Sequence, residues 1–237
     1  MKDTRKFVML FILAIGLVLT LSVSNWAADE TMIPVAGFPL LTTSAGQSAD
    51  INTLNIVADE AGIKYDYCDV PTIEMIDAGV GLGGAVSGPG FHVEILTDLD
   101  KYPAKTPYKT IVFAIGASLK GMGASGLTLN DEEARLKKLV DYCKKNKIFI
   151  VATHLGGLSA RGAAGSDNER MIDAIAPFAD YIIVTADGNK DGRFTTIVKK
   201  SGASLTTIKY ALDLVDILKQ VFQLNKVAMA NSCDCDE

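Results

Sequence analysis

Continuous apolar runs alternate along this chain with stretches whose apolar residues recur every three or four positions. Residues 39–43 (PLLTT) form a short apolar run that ends in Ser44-Ala45-Gly46-Gln47-Ser48. Residues 49–61 then put Ile51, Leu54, Val57 and Ala58 on one helical face, and Gly62 closes the helix. Residues 63–70 alternate as a strand does, so the unit reads as a βαβ crossover. The pattern recurs. Residues 110–116 (TIVFAIG) predict a buried strand, followed by a long Gly-rich loop. Asn130 is the expected cap of a helix over 131–146, with Leu136, Leu139, Val140 and Cys143 inward and Lys144, Lys145 and Lys147 at its end. Residues 148–154 (IFIVATH) and 181–186 (YIIVTA) predict further strands, with a helix between them capped by Ser166 or Asp167. A short helix over 194–200, a weaker strand over 204–209 and an amphipathic helix over 213–224 complete the series.

Strands that read as continuous apolar runs, alternating with helices, call for a parallel sheet covered on both faces. The expected fold is α/β: a doubly wound, mostly parallel sheet of five or six strands in a Rossmann-like three-layer sandwich, flavodoxin-like in order. Residues 79–91 (GVGLGGAVSGPGF) hold six glycines in thirteen residues and predict a long excursion rather than an element.

The amino-terminal residues predict an address. Lys2, Arg5 and Lys6 precede seventeen uncharged residues (7–23), and small residues follow around Ala27-Ala28. That layout is a secretory signal peptide over 1–28, with an uncleaved membrane anchor as the alternative. A single α/β domain over 29–226 and a loose tail over 227–237 follow, in a protein expected to be exported to a periplasmic or extracellular space. The membrane is met only through the signal segment if that segment stays. The chain is 49% hydrophobic and 22% charged, with a net charge of −5 and no basic block in its body, which argues against nucleic-acid binding. Four cysteines are too few for a disulfide scaffold. Cys68 and Cys143 read as core. Cys233 and Cys235 in the tail fit a metal, a tight disulfide or no role.

In open α/β sheets a ligand lies beyond the carboxyl ends of the strands. Four expected strand exits combine glycine with polar side chains: Ser44 to Ser48, Gly116 to Gly121, His154 to Arg161 and Asp187 to Gly192. Backbone amides of such turns and the following helix starts favour a small anion. The candidate ligand-binding residues are Ser44, Gly46, Gln47, Ser48, Gly116, Ser118, Lys120, His154, Gly156 and Arg161, with Lys190 on the same edge. Two strings match G-x-G-x-x-G, from Gly79 and from Gly121. The first lacks the preceding strand, and the second lacks both a prompt helix and a ribose-binding acid, so no dinucleotide is expected. Asp187, Asn189 and Asp191 with Gly192 resemble a calcium loop, but Val198 stands where the bidentate carboxylate belongs; an Asx turn starting a helix is the competing reading. Calcium is the sole candidate cofactor.

Leu41 to Ser48, Gly116 to Gly126, Arg161-Gly162 and Asn189 to Thr195, taken together, resemble an exported bacterial family known only as a domain of unknown function. The resemblance spans about residues 39–222 and implies a secreted single α/β domain; it implies no activity, substrate or catalytic residue. From the residues themselves, the leading expectation is an exported protein that binds a small polar, anionic solute. Two alternatives stand beside it: an extracytoplasmic hydrolase or transferase using His154 with Ser118 or Ser48, and an interaction module docking a protein partner through residues 79–91.

Overall fold

The computed structural model describes residues 32–224. The expected signal segment over 1–28 and the tail cysteines Cys233 and Cys235 lie outside the described residues. Among these residues one sheet of seven strands forms: β1 (Leu40–Ala45), β2 (Asp66–Cys68), β3 (Val93–Ile95), β4 (Thr110–Ile115), β5 (Phe149–His154), β6 (Tyr181–Thr185) and β7 (Ser204–Ile208). They lie in the order β3-β2-β1-β4-β5-β6-β7, and only β3 is antiparallel to its neighbour. Without β3, the parallel strands run second, first, third, fourth and onward, which is the flavodoxin-like arrangement with one strand added at the far edge.

Strict alternation along the central strands divides the core in two. Leu41, Ile111, Phe113, Ile115, Ile150, Ala152, Ile182 and Val184 point to one face. There they meet α2 (Ile73–Asp77), α4 (Leu129–Asn146), α5 (Asp167–Ile175) and α6 (Arg193–Ser201). Leu40, Val112, Ala114, Val151, Tyr181 and Ile183 point to the other face, against α1 (Asp50–Glu60) and α7 (Leu214–Val221). α3 (Leu119–Ala124) sits in the segment expected to be loop. The cap of α4 is Thr128, not Asn130: Thr128 and Asp131 exchange bonds in a capping box. Asn130 instead accepts from Arg170.

The excursion over 79–91 holds a single turn of 3-10 helix, Leu82–Gly84, and is pinned at both ends. Asp66, fully buried at the start of β2, accepts from the Gly81 amide (2.8 Å), the Thr97 amide (3.2 Å) and the Tyr108 hydroxyl (2.5 Å). A Cβ at Gly90 would lie 2.0 Å from the Ala124 carbonyl oxygen, so glycine lets the excursion press against the end of α3. Ser87 donates to the Val93 carbonyl and accepts from the Val93 amide, covering the outer margin of β3.

Replacing Asp66 with Ala strips three donors of their buried acceptor and is expected to cost roughly 3 kcal/mol, read as a lower urea midpoint. Burial pushes the thiols of Cys68 and Cys143 up to about 12. Iodoacetamide at pH 8 should therefore leave both unlabelled in the native protein and modify both in denaturant, as mapped by mass spectrometry.

Candidate functional site

The chain leaves β1 toward one side of the sheet and β4 toward the other, so the topological switch point lies where these two neighbours end. Two turns meet there. The Ser118 amide donates to the Gly46 carbonyl at 2.7 Å. A Cβ on Gly116 would lie 2.6 Å from Ser48 Oγ, and one on Gly121 would lie 2.9 Å from Gln47 Cβ. Gly46 has φ +83°, and a side chain there would strike the Gly116 carbonyl oxygen at 2.5 Å. Gln47 follows in the same left-handed region at φ +55°. Its side-chain amide holds it there by donating to Ser44 Oγ (3.2 Å) and to the Asp69 carbonyl (3.0 Å).

The turn is braced from below by two residues of α4. Glu132, fully buried, accepts from the Gly46 amide at 2.8 Å. Arg135 grips both oxygens of Glu132 at 2.7 Å and donates to the Ser44 carbonyl at 3.2 Å. On the β4 side, Asn168 Oδ1 accepts from the Ala117 amide at 2.6 Å, and Ser118 Oγ caps α3 by accepting from Gly121. The amides of Gln47, Ser48 and Ala49 have no acceptor among the described residues. The side chain of Lys120 is exposed and likewise has no partner among them.

The exit of β5 is clamped from both flanks. Asp50 accepts from the Leu155 amide at 3.2 Å, and Asp187 accepts from the Leu158 amide at 2.9 Å. The amides of Gly156 and Gly157 between them have no acceptor among the described residues. The turns containing Gln47, Lys120 and Gly156 therefore share one rim, as the sequence predicts.

Two expected contributors do not face it. His154 is 1% exposed; its Nδ1 lies 3.1 Å from the Ile115 carbonyl, its Nε2 lies 3.3 Å from the Gly157 carbonyl, and its ring stacks on Phe194. Neither nitrogen points to solvent or to Ser118, so the geometry gives it a packing and positioning role. Arg161 is 3% exposed and bonds Glu169 (2.7 Å), Asp191 (2.7 Å) and the Gly188 carbonyl (3.0 Å), with Phe194 under its guanidinium. Burial opposes its charge, and the bonds from Glu169 and Asp191 more than offset that, so its pKa rises. The hydrogen bond from Arg161 holds the Asp191 carboxyl below the ordinary carboxylate range.

The segment Asp187 to Gly192 takes the Asx-turn form. Asp191 accepts from the Arg193 amide, and Asn189 Oδ1 accepts from the Phe194 and Thr195 amides. With Asp187 turned to Leu158 and Asp191 to Arg161, the three oxygens point at separate protein partners. Among the described residues no group of three His, Cys, Asp or Glu side chains is placed to hold a metal.

Residues 37–222 match the family described as Domain of unknown function (DUF6305). The chain belongs to this family. The match takes in every strand and helix of the sheet, including all the turns of the rim. No curated protein and no solved structure matches the chain.

Glu132, Arg135, Asn168, Glu169 and Asp50 shape this part of the DUF6305 domain; from sequence Glu132 reads only as a first-turn acid, and the other four carry no signal of a role at the rim. In the helical pattern Asp50, Glu132, Asn168 and Glu169 occupy ordinary first-turn positions and Arg135 lies in the second turn of α4. Only the Glu132–Arg135 spacing of three hints at a pair, and nothing local says that it is buried.

Replacing Arg161 with Ala leaves Glu169 buried with only the longer Arg193 contact and is expected to cost about 3–5 kcal/mol in urea unfolding. The Asp191 pair works with the opposite sign to a raised group: its contribution is present above the unfolded carboxylate pKa and is lost as pH falls through the lowered folded value. The stability gap between the native protein and Asp191→Asn should therefore close in acid.

Proposed function

We propose that this protein binds a small polar solute on the carboxyl rim of its sheet, after export, without transforming it. The observation that carries this reading is the run of acceptor-free amides at Gln47, Ser48 and Ala49, held in a left-handed turn by a buried ion pair beside the switch point. Preorganised amides of this kind suit an oxygen-rich group, a carboxylate or a phosphate. Lys120, on the adjoining turn, supplies an unpaired positive charge. Gly156 and Gly157 offer further amides across the rim. Ser118 serves as a helix cap and His154 is enclosed by carbonyls, which favours holding a solute over acyl or phosphoryl transfer.

Thermal unfolding against a panel of small carboxylates and phosphate esters tests the reading. A cognate solute at 100 times its Kd adds about 2.7 kcal/mol. Lys120→Ala should leave the unliganded midpoint unchanged and shrink the ligand-induced shift. A panel in which no compound moves the midpoint, or an equal shift in the variant, counts against the proposal.

A further inference from the structure

The pole opposite the rim has a chemistry of its own. Every parallel strand starts there, and α1, α4, α6 and α7 end there. Six lysines at this pole lie at the ends of α4, α6 and α7: Lys144, Lys145, Lys147, Lys199, Lys200 and Lys219. The helix dipoles account for these. They do not account for four more. Lys64 lies two residues before β2, Lys109 immediately precedes β4, and Lys101 and Lys105 lie on the approach to β4. All four are exposed. Among the described residues the carboxylates that share the pole are Asp59, Glu60, Asp77, Asp98, Asp100 and Asp180. Asp180 is paired to Lys144 at 2.7 Å, and Asp77 accepts from Tyr142. The rim, in contrast, gathers first-turn acids such as Asp50, Asp131 and Asp167. Among the described residues this end is the basic one.

Apolar side chains stand among these lysines. Met32 is 86% exposed, Val35 59% and Leu99 50%. Lys101 lies over the stacked rings of Phe38 and Tyr102. The two ends of the described chain also meet here, where the Ala36 amide donates to the Val221 carbonyl. The described chain begins at Met32, four residues before Ala36, and the seventeen-residue uncharged run precedes it in the sequence. Among the described residues no helix is long and apolar enough to cross a membrane.

We propose that this lysine pole is a docking surface for an anionic lipid bilayer, seating the domain with its carboxyl rim turned away from the membrane. Lysine stems lie along apolar surface while their ammonium groups meet lipid phosphates, and the interleaved Met32, Val35 and Leu99 suit the boundary between headgroup and acyl chain. The bilayer is favoured over another polyanion because exposed apolar residues, and the segment at which the described chain starts, share the surface with the charge.

The test is a lysine-acetylation footprint of the full chain on vesicles, read by mass spectrometry, so that insertion of the uncharged run does not mask the result. The vesicles are phosphatidylcholine alone, or an equal mixture of phosphatidylcholine and phosphatidylglycerol. Lys64, Lys101, Lys105 and Lys109 should react at least about fivefold more slowly on the anionic vesicles, given the contribution of one lysine near such a surface. Lys120 on the rim should react equally on both. High salt should remove the protection. A variant carrying Lys101→Glu, Lys105→Glu and Lys109→Glu, with an unchanged melting midpoint, should lose the protection of Lys64. Equal labelling on both vesicles, or equal protection of Lys120, overturns the proposal. So does protection of the pole by an RNA duplex but not by anionic vesicles, which would make nucleic acid the partner.

Discussion

The buried carboxylate of Glu132 joins the two halves of this structure. One of its oxygens receives the Gly46 amide, and Arg135 holds both oxygens while reaching the Ser44 carbonyl. A single ion pair on α4 thereby fixes the end of β1, a strand whose own helix, α1, packs on the opposite face of the sheet. A buried pair of this kind adds little net stability over apolar packing, yet removing either partner is costly, so its value lies in specifying one arrangement. That arrangement is the left-handed turn at Gly46 and Gln47, on which the position of every free amide at the switch point rests.

The rim is balanced electrostatically. Arg161 and Arg193 are drawn into the acids of α5, while Asp50 and Asp187 each hold a backbone amide of the β5 exit. The positive character of this edge comes from its backbone amides and from the exposed Lys120 and Lys190.

The sheet was readable in the sequence because its central strands are buried on both faces, and that burial leaves runs such as TIVFAI and YIIVT. The helices α1, α4 and α5 were equally plain in their apolar spacing. β3 was not: its residues are exposed or half-buried, and only pairing with β2 makes them a strand. α3 was hidden by its two glycines, which lower helix propensity while allowing the approach to Gln47. At the rim, the sequence indicated which turns converge, since topology decides that. It left His154 open between a ligand contact and a satisfied structural histidine and read Arg161 as a donor on the edge, because the partners that enclose them, Ile115, Gly157, Glu169 and Asp191, are assembled from separate turns and elements. The four strand-approach lysines are scattered along the chain, so no charge run announces the pole they form.

The way Ser87 sits on Val93 has a consequence for how copies of this domain tolerate crowding. A three-residue border strand would ordinarily offer an amide and a carbonyl to any passing extended peptide. One hydroxyl occupies both of those groups on Val93. That margin of the sheet is blunted at Val93 against growth by strand addition, which narrows one route into fibrils.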